Sequence, residues 1–231
     1  YQYMAAIMAL TMLFTYISPD VKSSVSKNKR VSFLSSIKEN FSDLLKREKI
    51  FVYLALAILY KVGDSFSHAL TTPFLIDIGF SLTEVGAYLK TTLLVAGIIG
   101  IFLGGIILTK LDLFKALLFF GVLQSVTNLL YMLLAEVGYN TPIAISALFV
   151  EHLCSGMGTA AYLSLLLSLC NKKFSGTQYA LLTSLSSLGR VYIGPVAGHI
   201  VEGYGWSNFY LFSAIAAIPG VILVIYLKDS I

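Results

Sequence analysis

Lys61, Asp64 and His68 lie three and four residues apart within a stretch, Phe51 to about Ile76, that is otherwise apolar and long enough to cross a membrane. That spacing sets an ammonium, a carboxylate and an imidazole along one face of a helix. A lone ionised group in hydrocarbon costs several kcal/mol, so such residues face a bundle interior or a water-filled path and pair with one another. The chemistry on offer is charge pairing, proton exchange at a carboxylate that responds to a neighbouring ammonium, and contact with a polar solute. Two readings of Lys61 and Asp64 stand side by side: a structural ion pair, or a proton-carrying carboxylate beside its counter-charge.

Lys90, Glu151, His152 and Arg190 also fall inside apolar segments. Counting about 1.5 Å per residue from the expected helix ends puts Lys61 and Arg190 near mid-membrane, with Asp64, Lys90, Glu151 and His152 nearer the outer side. Four helices thus bring charge to one layer, as expected of a central site reached alternately from either side. His68 and His152 titrate near neutrality when unperturbed, and are read first as hydrogen-bonding or packing residues. Glu151 and Arg190 fit an internal bridge or cargo and proton groups equally well.

The elements that must hold these residues are membrane helices. The chain is 57% hydrophobic and 12% charged, with a mean hydropathy of +0.83, far from the roughly 25% charged residues of a soluble domain. Six spans are expected, at about 51–76, 84–108, 116–135, 143–170, 179–202 and 208–227, each near or above the ~20 residues a crossing needs. Residues 1–17 read as the end of a preceding transmembrane helix, in a chain that opens at Tyr1 as a piece of a longer polypeptide. Residues 18–50 read as a basic cytoplasmic linker, and 51–231 as a six-helix bundle. Ser81 and Glu84 fit a capping box, and Asn140 a cap before Pro142.

The net charge of +4 does not point to nucleic acid, because the linker's Lys22, Lys27, Lys29, Arg30, Lys38, Lys46, Arg47 and Lys49 outweigh its acids and account for it. With that linker cytoplasmic, every Lys and Arg except Lys61, Lys90 and Arg190 falls on the cytoplasmic side, C-terminus included, and the outer connectors carry none. Phe33, Leu34, Ile37, Phe41, Leu44 and Leu45 recur at helical spacing, which suits an amphipathic helix on the membrane surface. Gly97, Gly100, Gly104, Gly105, Gly194 and Gly198 suit close helix packing, and Pro73, Pro195 and Pro219 suit bends. Cys154 and Cys170 are assigned neither a disulfide nor a metal. No nucleophile elbow, zinc-protease motif or P-loop is present, and no cofactor is needed.

Particular strings resemble a family. Leu59-Tyr60-Lys61-Val62-Gly63-Asp64, Leu70-Thr71-Thr72-Pro73-Phe74-Leu75, Gly156-Met157-Gly158-Thr159-Ala160, Thr177-Gln178-Tyr179-Ala180 and Gly189-Arg190-Val191-Tyr192-Ile193-Gly194-Pro195 are similar to the muropeptide permeases (AmpG family) of the major facilitator superfamily. The superfamily's acidic loop pattern is altered, with Thr109 at its acidic position and Asp112 at a glycine position. The resemblance implies the C-terminal, six-helix half of a twelve-helix all-α bundle that pairs with an N-terminal half. It also implies proton-driven import of N-acetylglucosaminyl-1,6-anhydro-N-acetylmuramyl peptides across the bacterial inner membrane, and so a sugar-peptide, protons and the bilayer as partners. His68, His152 and His199 stand where the family pattern leads to other residues.

An anionic sugar-peptide needs cations and hydrogen-bonding groups. Lys61, Lys90 and Arg190 are candidates for the first; Gln124, Asn128, Ser65, Thr71, Thr91 and Tyr162 for the second. Asp64 and Glu151 are the candidate proton-coupling carboxylates. Other expectations stay open: a carrier of another bulky anion such as an acyl-CoA or peptide, a membrane enzyme using Glu151 and His152 as acid and base, and a non-transporting sensor.

Overall fold

The computed structural model describes residues 2–18, 42–43, 45–46, 48–171 and 175–228, and of Arg190 the backbone alone. The chain divides into two compact units, Tyr1–Ser36 and Ile37–Ile231. In the first, α1 (Gln2–Ile17) is an apolar helix with no buried residue. The surface helix expected over 32–50 falls, but for a few residues, outside those described.

Among its described residues the second unit consists of helices joined by short turns. The first span breaks into α2 (Ile50–Leu59), α3 (Val62–Ala69) and α4 (Thr71–Asp77). After it come α5 (Leu82–Leu108), α6 (Leu113–Val137), α7 (Thr141–Ser168), α8 (Ser175–Ala216) and α9 (Ile218–Leu227). Among the described residues five apolar stretches reach membrane length, the last running 53 residues from Ser175 to Leu227. As one straight helix it would measure about 80 Å at ~1.5 Å per residue, against a hydrocarbon core of about 30 Å.

It does not run straight, because Gly205 takes φ 77° and ψ 174°, a backbone region that only glycine enters at low cost. The chain folds back there. Gln178 lies at the Asn171 end of the bundle, Trp206 at the opposite end against Asp77, and Tyr226 back beside Lys49. Two antiparallel crossings result, and with the four before them they make the six spans that hydropathy predicts.

Both expected caps form: Ser81 and Glu84 close a reciprocal capping box on α5, and the Asn140 side chain accepts from the Ile143 amide at the start of α7. Pro73 follows the break at Leu70, and Pro219 opens α9, whereas α8 stays helical through Pro195. α5 packs against α7 where Gly100 meets the Leu153 carbonyl and Gly156, and a Cβ on Gly156 would stand 2.6 Å from the Gly97 carbonyl oxygen. An added Cβ at Gly105, Gly194 or Gly198 meets nothing within 4 Å, so close packing does not require glycine there.

Two apolar clusters fill the unit. One gathers Ile50, Tyr60, Leu117, Cys154, Leu182 and Leu227; the other gathers Phe74, Leu148, Ile193, Phe209 and Tyr210. In sequence, Asp64 falls between Tyr60 and Phe66, and Glu151 between Leu148 and Cys154, so each carboxylate sits where one cluster gives way to the other. A polar layer is held between two apolar ones.

Candidate functional site

The site begins at the break in the first span. Lys61 takes φ −95° and ψ 0° and starts α3. Its neighbours let the backbone come close: a Cβ on Gly63 would stand 2.6 Å from Ala217 Cβ, and one on Gly220 would stand 2.8 Å from Tyr60 Cα. Tyr162 of α7 donates its hydroxyl to the Ala57 carbonyl at 2.7 Å, satisfying an acceptor beside the interrupted turn. Irregular backbone at membrane depth is tolerated where protein groups satisfy it or where it lines a cavity, and Lys61 does line one.

From α3, Lys61, Asp64 and His68 meet α7, whose Glu151, Ser155 and Thr159 recur every fourth residue. Lys61 Nζ donates to Asp64 Oδ2 at 2.7 Å and to Thr159 Oγ1 at 3.0 Å. Ser155 Oγ donates to the same Asp64 oxygen at 3.1 Å. His68 Nε2 stands 3.5 Å from Asp64 Oδ1 and 3.1 Å from Glu151 Oε1, bridging the two carboxylates. The Tyr131 hydroxyl donates to Glu151 Oε2 at 3.4 Å, and His152 Nε2 lies 3.8 Å from that oxygen. The His68 and His152 rings stack with centroids 5.4 Å apart. The side chains of Glu151 and His152 are 2% exposed, those of Lys61 and Asp64 18% and 10%.

One continuous polar chain therefore runs from Thr159 through Lys61, Asp64, His68 and Glu151 to Tyr131. With both imidazoles neutral, Lys61, Asp64 and Glu151 sum to a charge of −1, and a single added cation charge makes the group neutral. His68, Glu151 and His152 each offer a ligand atom, all within 4.8 Å of one another, the donor set of a possible metal centre.

Among the described residues the chain opens on two cavities. The larger, about 720 Å³, is lined by Lys61, Asp64 and His68 with a wall of hydroxyls from Ser65, Ser155, Thr159, Thr183, Ser186 and Ser187. The second, about 510 Å³, is lined by Lys90, His68, His152, Ser155 and Thr159. His68, Ser155 and Thr159 line both.

The sequence-predicted residues are thus partly gathered. Lys61, Asp64 and Glu151 join one network, and Lys90 lines the second cavity. Arg190 lies on α8, four residues before the cavity-lining Gly194. Gln124 and Asn128 are buried on α6 and line neither cavity, and Gln124 donates to the Cys154 carbonyl at 3.3 Å, joining α6 to α7. Sequence reasoning passed over Ser155 and Thr159, although their four-residue spacing from Glu151 marks one helix face. It also passed over Tyr131, whose hydroxyl carries no such signal inside an apolar run.

Membrane-length helices enclosing a charged, hydroxyl-walled cavity between apolar layers define a multi-pass membrane protein built to hold something polar. The chain belongs to the Major Facilitator Superfamily, whose family model matches residues 1–194. Among curated proteins it is 44% identical over 232 residues to "Anhydromuropeptide permease" of Escherichia coli, an alignment that takes in all of this chain and 47% of that protein. It is 34% identical over 200 residues to "Putative transporter AmpG 4" of Rickettsia conorii, covering 87% of this chain and 48% of the relative. The protein of the same name in Rickettsia felis is 33% identical over 211 residues, covering 91% and 51%. The chain spans about half the length of the curated relatives it matches.

Proposed function

We propose that this chain is the C-terminal half of a proton-coupled secondary transporter that imports anhydromuropeptides across the bacterial inner membrane by alternating access. The observation that carries the reading is the Lys61–Asp64–His68–Glu151 chain, exposed to a hydroxyl-walled cavity of about 720 Å³. A sugar-peptide presents hydroxyls, amides and carboxylates, and the cavity offers hydroxyls and an ammonium in return. The 44% identity to a protein named for anhydromuropeptides supports the same cargo.

In this reading Lys61, Lys90 and Arg190 receive the anionic cargo, and Asp64 and Glu151 carry the coupling proton. Gln124 and Asn128, the remaining sequence candidates for cargo binding, supply hydrogen-bonding groups from α6, where Gln124 also joins α6 to α7. Residues 1–17 end the preceding transmembrane helix, 18–50 and the C-terminus are cytoplasmic, and 51–231 form the bundle that an N-terminal half completes. Rocking of the two halves moves the polar layer from one side to the other.

The test is uptake of labelled anhydromuropeptide by the full-length protein in proteoliposomes, with and without an imposed pH gradient. Wild-type protein should accumulate the label only with the gradient. Asp64→Asn and Glu151→Gln should lose accumulation while keeping exchange of label across the membrane at equal pH. Full accumulation by both variants removes the coupling assignment, and uptake unaffected by excess unlabelled anhydromuropeptide removes the cargo.

A further inference from the structure

His152 Nδ1 lies 2.7 Å from the Leu148 carbonyl oxygen. A carbonyl only accepts, so Nδ1 holds the ring proton and Nε2 of the neutral ring carries a lone pair. Nε2 stands 3.8 Å from Glu151 Oε2, in a pair of side chains 2% exposed. Two electron-rich atoms this close in a nearly water-free place favour a cation beside them, since the Tyr131 hydroxyl is the one donor described at Glu151 Oε2. Lys61 does not supply it, since its ammonium is engaged by Asp64 and Thr159. His68 closes the third face: its Nε2, 3.1 Å from the other Glu151 oxygen and 3.5 Å from Asp64 Oδ1, turns a proton toward these acceptors, and a metal ion takes the place of that proton.

The geometry points to a binding site for a divalent transition-metal ion of the zinc class, held by His68, Glu151 and His152, with a fourth position open to the smaller cavity. Two imidazoles and one carboxylate with an open position are a donor set that zinc accepts, while magnesium and calcium require oxygen ligands. Tetrahedral bonds of about 2.05 Å place ligand atoms about 3.4 Å apart. The His68–Glu151 and His152–Glu151 separations, 3.1 and 3.8 Å, bracket that value, and the widest pair, within 4.8 Å, closes by at most about 1.4 Å. The supporting shell is in place: the Leu148 carbonyl holds His152 in the ligating tautomer, and the Tyr131 hydroxyl orients Glu151.

A divalent ion changes the cluster's charge from −1 to +1, so an anion in the fourth position restores neutrality. Lys90, which lines the same cavity as both histidines, favours an anion there too. The occupied site ties α3 to α7 and competes with any other use of Glu151. The inference does not rest on the identity of the cargo.

A Co(II) titration of the chelator-treated full-length protein in detergent, with no cargo present, tests it. One equivalent should produce the intense visible bands of four-coordinate Co(II), and Zn(II) should abolish them. His152→Asn and Glu151→Gln should each weaken binding by more than the roughly 10–100-fold that loss of an outer-shell partner alone costs. His199→Ala should keep the bands, since that imidazole is exposed beside Glu202. Thermal unfolding of each metal-free variant reports that it is folded. Wild-type protein showing only six-coordinate Co(II), or wild-type affinity in either His152→Asn or Glu151→Gln, overturns the site. Neither result touches the uptake experiment, which reads accumulation of label against a pH gradient.

Discussion

Lys61→Met removes one partner of the Lys61–Asp64 pair and leaves the other in place. At 2.7 Å the gross attraction is about 6 kcal/mol at an effective dielectric of ~20, most of which goes to offset desolvation of the two ions. Breaking a buried pair by deleting one charge costs about 3–5 kcal/mol, because the survivor is left uncompensated. Here Asp64 keeps Ser155 at 3.1 Å and His68 at 3.5 Å, and the pair is 18% and 10% exposed. The loss therefore belongs at the lower end, about 3 kcal/mol, or roughly a hundredfold in the folding equilibrium. Lys61→Met with Asp64→Asn removes both charges and should return to within about 1 kcal/mol of wild type. Equilibrium unfolding in mixed micelles, supported by thermal melting, measures all three proteins. A single variant as stable as wild type, or a double variant no better than the single, refutes the claim that the two charges offset each other's burial.

Three further outcomes are expected. Gly100→Ala drives a Cβ into the Leu153 carbonyl and should destabilise by about 1–3 kcal/mol, whereas Gly105→Ala, with nothing within 4 Å, should be neutral or stabilising by up to about 1 kcal/mol; thermal melting in detergent separates them. Gly205→Ala forces a side chain into φ 77° and should cost about 1–3 kcal/mol, while Gly203→Ala, unstrained and open, should cost far less by the same assay. Asp112, between α5 and α6, is held below its ordinary value by a hydrogen bond from Lys115 and by that ammonium's charge. A lowered carboxylate contributes stability above its unfolded value of 3.8 and loses it as pH falls through the folded value. The pair is exposed, so Asp112→Asn should lower the melting temperature slightly at neutral pH and not at all once Asp112 is protonated; a larger effect in acid contradicts the sign.

The spans were legible because hydrocarbon imposes one rule on every residue in them, and apolar runs of ~20 residues therefore mark helices wherever they occur. The end signals at Ser81 and Asn140 were equally local, each a side chain bonding an amide three residues on. Lys61, Asp64 and Glu151 announced themselves by the cost of burying charge. What the chain did not disclose was which residues pair across helices. The spacing of Lys61 and Asp64 foretold their contact, but not His68 reaching Glu151 or Tyr131 joining them, since those depend on the rotation of α3 and α6 about their axes. Gln124 shows the same limit, because an amide in an apolar helix gives no sign in sequence of the carbonyl that it meets on the next helix. The glycines divide likewise: Gly100 and Gly105 both stand among aliphatic residues of α5, yet an added Cβ at the first meets α7 and at the second meets nothing within 4 Å.

The interruption at Tyr60 and Lys61 has a mechanical meaning. The same helix that supplies Thr159 to the Lys61 ammonium supplies Tyr162 to the Ala57 carbonyl, on either side of the gap. Sliding α7 along its axis stretches both bonds together, so the shape of the jointed helix and the position of its charge respond to one displacement. A joint of this kind works as a lever arm, turning a small travel of one rod into reorientation of the ammonium at its tip.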